Sequence, residues 1–453
     1  MLAFTKIDRI NASKRGVMGR IKDFREVYEV FDENKAAEQA ERCIGCGDPY
    51  CHNKCPLHNI IPAWLKQTAN KDMELAFNIS NETSPFPEIL GRICPHDVLC
   101  EGDCTLNDTH GAITIGSVET FITETGFDNG LVPKFSTEKI GKKVAIIGSG
   151  PAGLSAATFL LRAGIDVEIF ERASKAGGLL TYGIPGFKLD KHRIQRRVDF
   201  LIKAGAKVTL NTEIGVDKSF EDLQNEFDAV FIGIGATKGK MPGLDGENSE
   251  NVHLAMDFLT KVQKKEFGEP VHNYIDVKDK RVVVIGGGDT AMDCVRTSVR
   301  EGASDVKCLY RRDEANMPGS KKEVDNSKEE GVEFVFNVSP VAITKNGVTL
   351  DKTELTTADE TGRQKVQIIP NSQYLQDADI VILALGFDQE LPKFITDSSL
   401  ELDKWNGIKV NSDYTTSINN IYAGGDGVRG ADLAVTATLD GREAAKTIIA
   451  SFK

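Results

Sequence analysis

The stretch KKVAIIGSGPAGLSAATFLLRAGIDVEIFER, residues 142–172, decides the fold. It reads as a strand, a glycine-rich turn, a helix and a second strand, which is the opening unit of a doubly wound parallel sheet that binds a dinucleotide. The G-x-G-x-x-G turn lets the backbone approach a pyrophosphate, and the helix N-terminus stabilises its negative charge. An acidic residue ending the second strand can accept hydrogen bonds from a ribose diol. The residues predicted to bind this dinucleotide are Gly148, Gly150, Pro151, Ala152, Gly153, Glu171 and Arg172.

A second unit of the same kind is RVVVIGGGDTAMDCVRTSVREGASDVKCLYRR, residues 281–312. Its turn is the permitted variant G-x-G-x-x-A, and its second strand has Tyr310 where the first unit has Glu171. Two arginines follow, whose charge-assisted hydrogen bonds suit a 2′-phosphate, so we predict NADPH rather than NADH. The alternative is a pair of solvated arginines on a loop. The residues predicted to bind NADPH are Gly286, Gly287, Gly288, Asp289, Thr290, Ala291, Arg311 and Arg312.

Two nucleotide units in one chain suggest hydride transfer between two cofactors. The segments GGLLTYGIPGFKL (177–189) and NIYAGGDGVRGADLAVTATLDGREAA (420–445) resemble the FAD motifs of two-dinucleotide-binding flavoproteins. The resemblance implies that the first unit binds FAD, that Asp426 contacts the flavin ribitol, and that a helix starting near Leu433 points its N-terminus at the flavin ring. Asp426 also suits an ordinary turn. The further FAD residues implied are Gly178, Leu179, Gly425, Asp426, Leu433 and Ala434.

The cysteines indicate a metal-binding segment, because seven of the nine lie between residues 43 and 104 and a reducing compartment disfavours disulfides. Their spacings, C-x2-C-x4-C-x3-C-P and C-x5-C-x3-C, suit iron–sulfur clusters, but seven cysteines cannot fill the eight positions of two [4Fe–4S] clusters. Cys294 and Cys308 lack the spacing of a redox-active pair, so clusters are the favoured exit for electrons. The alternative is structural zinc with one of the histidines His52, His58 or His96. The clustered cysteines are Cys43, Cys46, Cys51, Cys55, Cys94, Cys100 and Cys104.

Composition limits the partners and the compartment. The formal net charge of −12 and the pI near 5.3 argue against a nucleic-acid or anionic-membrane binder. With no signal peptide and only strand-length apolar runs, we expect a cytoplasmic protein without a membrane partner. Apolar residues spaced through 24–31, among mixed charges, predict a helical lead-in over residues 1–42. The predicted domains are an Fe–S domain (1–135), an FAD domain in two parts (136–250 and 386–453) and an NADPH domain (251–385).

Several motifs in a fixed order carry a resemblance to one family. RCIGCGDPYCHNKCPLHNIIPAW (42–64), GRICPHDVLCEGDC (91–104), AITIGSVE (112–119) and YRRDEANMPGSKKEV (310–324) together resemble the glutamate synthase small (beta) subunit. A related module occurs in dihydropyrimidine dehydrogenase and in ferredoxin:NADP transhydrogenases. The resemblance implies an α/β fold with two doubly wound dinucleotide-binding domains after a mainly α-helical Fe–S domain. It also implies two interleaved ligand sets: Cys43, Cys46, Cys51 and Cys104 for one [4Fe–4S] cluster, and Cys55, Cys94, Cys100 and Glu119 for the other.

The function implied is NADPH-oxidising electron input, in which electrons pass from NADPH to FAD, to the clusters and to a large (alpha) subunit that makes glutamate from glutamine and 2-oxoglutarate. The Fe–S domain surface and residues 1–42 are candidate contacts for that subunit, and the turn 317–319 is a candidate wall of the nicotinamide site. Hydride transfer needs no side-chain acid or base, so no catalytic residue is named. The alternatives are electron input to pyrimidine reduction, sulfide or ferredoxin-linked systems, and a zinc-stabilised module without turnover.

Overall fold

The computed structural model of the protein describes residues 2–358 and 364–453. The chain begins with a layer of mostly short helices around the buried Trp64. The Asp32 and Asp72 carboxylates cap two of these helices by accepting backbone N–H groups in their first turns. The helices are α1 (Val17–Arg20), α2 (Glu33–Glu41), α3 (Tyr50–Lys54), α4 (Ile61–Ala69), α5 (Met73–Thr83), α6 (Pro87–Ile93), α7 (Asn107–His110) and α8 (Ile115–Asp128), preceded by the 3-10 turn Ala3–Thr5.

The first nucleotide unit follows as strands that alternate with helices. Its central strand is buried at Val144–Ile147, as the apolar run VAII predicts, and its pairings with the neighbouring strands are parallel. The elements are β1 (Lys143–Ile147), α9 (Pro151–Arg162), β2 (Asp166–Phe170), α10 (Leu179–Tyr182), α11 (Lys191–Lys203), β3 (Lys207–Thr209), α12 (Phe220–Glu226), β4 (Ala229–Ile232) and β5 (Lys238–Gly239).

The second unit repeats the pattern and adds an antiparallel layer that was not predicted. The elements are β6 (Val252–Leu254), α13 (Ala255–Glu266), β7 (Arg281–Ile285), α14 (Asp289–Arg300), β8 (Asp305–Tyr310), the 3-10 turn Glu314–Asn316, α15 (Lys321–Glu329), β9 (Glu333–Phe336), β10 (Val338–Thr344), β11 (Gly347–Leu355), β12 (Val366–Ile368), β13 (Tyr374–Asp377), β14 (Ile380–Leu383) and β15 (Phe387–Asp388). The parallel sheet has the order β6-β14-β7-β8-β9, and the antiparallel layer pairs β11 with β10, β12 and β13.

The chain then returns to the first unit. The last elements are α16 (Lys393–Thr396), β16 (Ile421–Ala423), α17 (Asp426–Arg429) and α18 (Ala434–Ser451). Strand β16 pairs in parallel with β4, which completes the order β16-β4-β1-β2-β3, and α18 packs along α9. The strand β15 pairs with β5, so the outgoing and the returning chain run side by side between the two sheets. Both nucleotide turns therefore face a common region at the carboxyl ends of their sheets.

The helical lead-in predicted over residues 1–42 is wrong for residues 24–31, although α1 and α2 lie elsewhere in this range. This segment is extended: the Tyr28 backbone bridges to Lys14, and the Val27 N–H donates to the Phe187 carbonyl at 3.0 Å. The helical spacing of the apolar residues has another cause, since they serve different neighbours. Phe24 packs with the second nucleotide unit, whereas Phe31 belongs to the core of the helical layer. The extended segment thus fills the junction between domains.

Within the ranges that the structure describes, no helix is long and apolar enough to cross a membrane.

Candidate functional site

A cavity of about 860 Å³ lies where the domains meet. Its walls include the first glycine turn, the start of α14 in the second unit and the cysteine segment at Cys94. Gly148 has a φ of +95°, and a Cβ there would stand 2.6 Å from the Gly233 carbonyl oxygen, so the turn requires glycine. A Cβ on Gly150, in contrast, would meet nothing within 4 Å. The backbone at Gly150 therefore faces open space, as a bound pyrophosphate requires.

Glu171 is fixed at the edge of this cavity. It follows the last residue of β2 and is only 6% exposed. Its Oε2 accepts hydrogen bonds from the Ser149 N–H at 3.0 Å and the Ser149 hydroxyl at 2.5 Å, and its Oε1 accepts from the Ala173 N–H at 2.9 Å. A carboxylate has about four lone-pair sites, so it retains capacity for a ribose diol. Ser149 occupies an x position of the motif, where any residue is allowed, so the motif does not select it.

Asp426 begins the turn at the end of β16, and its Oδ1 is buried without a hydrogen-bond partner among the described residues. Burial raises the pKa of this carboxyl to about 7. An unpaired buried polar atom facing a cavity indicates a missing ligand, and a polyol such as ribitol fits it. Leu433 and Ala434 line the same cavity at the start of α18, and no side chain caps this helix, so its first N–H groups can bind a ligand.

Asp440, which the sequence analysis did not select, holds this turn. Its carboxylate is 1% exposed and accepts from the Gly425 N–H at 2.8 Å, from the Tyr414 hydroxyl at 3.1 Å and from the Arg429 guanidinium. Gly425 has a φ of +77°, a conformation that favours glycine, and its N–H is fixed by the hydrogen bond to Asp440. The position of Asp426 therefore depends on Asp440.

The second glycine turn is partly covered by the turn 317–319. The Gly319 N–H donates to the Gly287 carbonyl at 2.9 Å, and the Ser320 N–H donates to Asp289 at 3.0 Å. Asp289 and Thr290 line the common cavity. The turn 317–319 thus packs against the predicted pyrophosphate site rather than lying free on the surface.

Arg311 and Arg312 follow the end of β8, where the predicted 2′-phosphate site lies. Arg311 is exposed and Arg312 is half-buried. Within residues 2–358 and 364–453, no carboxylate lies within ion-pair distance of either guanidinium. Both arginines are therefore available to an anionic ligand, as the NADPH prediction requires.

The cysteines gather into the two predicted sets. In the first, burial raises the pKa of Cys51 to about 12, and Cys104, Cys43 and Cys46 are close enough to raise it further. In the second, burial raises the pKa of Cys94, and Glu119 and Cys55 add to the shift. Thiols that raise one another's pKa are near neighbours, and iron relieves this repulsion by binding thiolates.

Cys100 and Glu119 complete the second set. Burial raises the pKa of Cys100, and the Glu101, Cys55, Cys94 and Glu119 side chains contribute. Glu119 is 5% exposed, and burial raises its pKa to about 8. Its Oε1 accepts a long hydrogen bond of 3.4 Å from Asn59. A carboxylate buried this way costs free energy unless a cation compensates it, so Glu119 fits a metal ligand better than an exposed helix residue.

The histidines of the zinc alternative have other environments. His52 bonds to the Asn59 carbonyl at 3.0 Å, and burial against the helical layer lowers the pKa of His96 to about 3. In the described part of the chain, no group of three or more histidine, cysteine or acidic side chains converges as around a single metal ion. A cubane spreads its ligands over four irons and needs no such convergence.

Comparisons with known proteins agree with this geometry. The family described as dihydropyrimidine dehydrogenase domain II, 4Fe-4S cluster, matches residues 20–131, and the family described as pyridine nucleotide-disulphide oxidoreductase matches residues 142–441. The glutamate synthase [NADPH] small chain of Escherichia coli K12 is 45% identical, and the alignment covers 98% of each chain. This chain belongs to the glutamate synthase small-chain family. The family prediction is confirmed.

Two further similarities bear on the fold and the function. Putative oxidoreductase AegA of Escherichia coli K12 is 43% identical over 99% of this chain and 72% of that protein. The solved structure of FprA from Mycobacterium tuberculosis superposes with a TM-score of 0.58 at 20% identity, covering 69% of this chain and 84% of that one, which shows the fold alone. The predicted fold class is confirmed: helical Fe–S domain, then α/β dinucleotide-binding domains. The chain is an NADPH-dependent oxidoreductase with FAD-binding and 4Fe–4S domains.

We predict that Glu119→Ala loses one of two clusters. Iron and acid-labile sulfide should fall from about eight to about four per chain, because one cubane loses a ligand. FAD content should stay unchanged. The control is Asp128→Ala, at the exposed end of the same helix. Full iron content in the Glu119 variant would refute the ligand assignment.

We predict that Arg311→Ala combined with Arg312→Ala weakens NADPH binding about tenfold or more, since each charge-assisted hydrogen bond contributes about 1.5–3 kcal/mol. Binding of NADH should change little, because NADH lacks the 2′-phosphate. Dissociation constants from calorimetry measure both. Lys307→Ala, on the same strand, is the control, and equal losses for both nucleotides would remove the 2′-phosphate argument.

We predict that Asp440→Asn releases FAD. The amide cannot accept all three hydrogen bonds, so the Gly425 turn loses its anchor and FAD dissociation should speed up about tenfold, for a loss of about 1–3 kcal/mol. Flavin fluorescence on dilution measures the rate. Glu443→Gln, on the same helix but half-exposed, should retain FAD. Unchanged dissociation in Asp440→Asn would show that the turn holds without it.

Proposed function

We propose that this chain is the cytoplasmic electron-input subunit of a glutamate synthase. It takes electrons from NADPH and delivers them, through FAD and two [4Fe–4S] clusters, to a large subunit that forms glutamate from glutamine and 2-oxoglutarate. The observation that carries the proposal is the common cavity. One space is lined by the predicted FAD turn at Gly148–Ala152, by Asp289 and Thr290 of the predicted NADPH helix, and by the predicted cluster ligand Cys94.

The cofactors supply the chemistry when bound: a hydride passes from nicotinamide to flavin, and the clusters accept the electrons one at a time. The protein's residues bind and orient these groups. The Gly148–Gly153 turn and the start of α18 would hold FAD from two sides, while Glu171 and Asp426 would fix its ribose and ribitol.

Burial suggests the order of the clusters. Cys55 and Cys100 of the set that includes Glu119 are buried, and Cys94 of that set lines the cavity. Cys43, Cys46, Cys51 and Cys104 are each partly exposed. We therefore propose that a cluster held by the set with Glu119 would receive electrons from the flavin, and that a cluster held by the partly exposed set would pass them out of the molecule.

The large subunit would then contact the helical layer near the partly exposed set. Ile44 and Tyr50 lie between these cysteines in sequence and are 37% and 55% exposed. The segment 13–30, which includes α1, is a poorer candidate for this contact, since it packs against residues of its own chain such as Phe187 and Glu330. The surface that we propose for the large subunit is thus the part of the helical layer near the partly exposed cysteines. It is smaller than the one expected from sequence, which was the whole Fe–S domain surface and residues 1–42.

The second candidate is electron input to a different acceptor. The specific observation is the 43% identity with putative oxidoreductase AegA, in which the matched region covers 72% of that protein. A module of this kind therefore also occurs within a longer chain that is not named as a glutamate synthase.

One experiment separates these functions. Anaerobically purified protein is analysed for iron, sulfide, zinc and flavin, and is then mixed with the large subunit of a glutamate synthase, glutamine, 2-oxoglutarate and NADPH. We expect about eight iron and eight sulfide per FAD and glutamate formation that requires both subunits. NADPH-driven dye reduction without glutamate would favour the second candidate. Zinc with little iron would remove the electron path through clusters.

A further inference from the structure

One wall of the cavity is joined to the opposite wall by a buried ion pair. Lys188 lies at the end of the flavin-side segment 177–189, and Asp293 lies on α14 of the other nucleotide unit. Their Nζ and Oδ1 atoms are 2.9 Å apart, and the side chains are 13% and 7% exposed. Both residues line the cavity. Both residues lie within quoted motifs, but neither was among the residues predicted to bind a cofactor.

The pair joins the two elements that would hold the reacting rings. On the flavin side, Gly183 and Ile184 of the same segment line the cavity. On the nicotinamide side, Asp293 stands one helical turn after Asp289, so both lie on the same face of α14. The Lys188–Asp293 contact therefore sets the separation of these two walls.

A second contact between the same two elements, made by Phe187, opposes rotation of the flavin-side segment about the Lys188–Asp293 pair. The guanidinium groups of Arg296 and Arg300 on α14 lie 4.5 and 3.9 Å from the centre of the Phe187 ring. The Phe187 carbonyl also accepts from the Val27 N–H of the extended N-terminal segment. Phe187, the residue before Lys188, is thus also held in place. The flavin-side segment cannot shift without breaking the contacts of Phe187 and of Lys188.

The positive charge on Lys188 is held by its surroundings. Burial alone would lower the pKa of Lys188, but the Asp293 and Glu323 carboxylates outweigh burial and raise it above its usual value. Glu323, whose Oε2 is 3.9 Å from the Lys188 Nζ, is itself bonded to Arg296 at 2.5 Å. The ammonium is therefore charged, and charge attraction holds it to Asp293, because the contact at Oδ1 lacks hydrogen-bond geometry. Burial raises the pKa of Asp293 to about 6.

We propose that Lys188 and Asp293 are positioning residues for hydride transfer: their buried ion pair fixes the distance between the flavin-side segment and α14, and thereby the approach of nicotinamide to flavin. The inference rests on the proposed electron input from NADPH to FAD. Neither residue needs to donate or accept a proton. Affinity for NADPH would come mainly from Arg311 and Arg312, at the far end of β8, and would survive loss of the pair.

The test compares Lys188→Met, Asp293→Asn and Lys188→Arg with the wild-type protein under anaerobic stopped flow. In the first two variants, flavin reduction by NADPH should slow about ten- to hundredfold, because small displacements from a near-attack geometry have effects of this size. The dissociation constant of NADP⁺ should change less than about threefold, since the 2′-phosphate contacts persist. The long-wavelength charge-transfer absorbance of the stacked rings should weaken, and Lys188→Arg should restore most of the rate and the absorbance.

Arg197→Met is the matched control. It breaks an interdomain ion pair with Glu88 of 2.6 Å, in which both side chains are fully buried, but which lies outside the cavity lining. We expect a lower melting temperature with a near-normal reduction rate. An equal loss of rate in this control, or an unchanged rate in Lys188→Met and Asp293→Asn, would overturn the positioning role. If Lys188→Met fails to fold, Asp293→Asn and Lys188→Arg decide. If NADPH does not reduce the wild-type flavin at all, the proposed function itself fails.

Discussion

The structure depends on the pairing of charges that are buried where its domains meet. Glu330 has a fully buried side chain and accepts hydrogen bonds from Arg296 and Arg300 of α14 and from Arg20 of the N-terminal segment. Burial alone would raise the pKa of Glu330, but these guanidinium groups outweigh it and lower the pKa to about 2. Removing one partner from such a cluster leaves an uncompensated charge, which is strongly unfavourable. The domains are therefore held in one relative arrangement rather than docked loosely.

A fixed arrangement suits the chemistry that the site can perform. Flavoproteins that use a thiol pair need the pair near the flavin, but Cys294 and Cys308 are both fully buried within the second nucleotide unit. The exit for electrons that we propose is instead the cysteine segment, which reaches the cavity at Cys94. Electron transfer between fixed centres requires no domain to move. A rigid junction between the domains is therefore compatible with electron transfer.

The sequence predicted what is encoded locally. Strand–turn–helix patterns of about thirty residues predict the two glycine turns, the acidic residue after β2 and the two arginines after β8. Ser149, Asp440 and the Lys188–Asp293 pair could not be predicted in this way, because each acts on a partner from another part of the chain. The error at residues 24–31 of the predicted helical lead-in has the same origin. The apolar spacing there fits one helical face, whereas Phe24 and Phe31 pack into different cores.

Glu119 shows how sequence and structure arguments can meet on one residue. Counting ligands indicated that an eighth was missing, and the family resemblance placed it at Glu119. The structure adds an independent argument, because the carboxylate is buried beside three thiols and has only a 3.4 Å hydrogen bond from Asn59. A group of four acidic side chains in an apolar core would oppose folding, since each ionised form repels the others. Bound iron would attract these ionised groups, which otherwise repel one another. The arrangement is therefore unfavourable in the polypeptide alone and would be stabilised by a cluster.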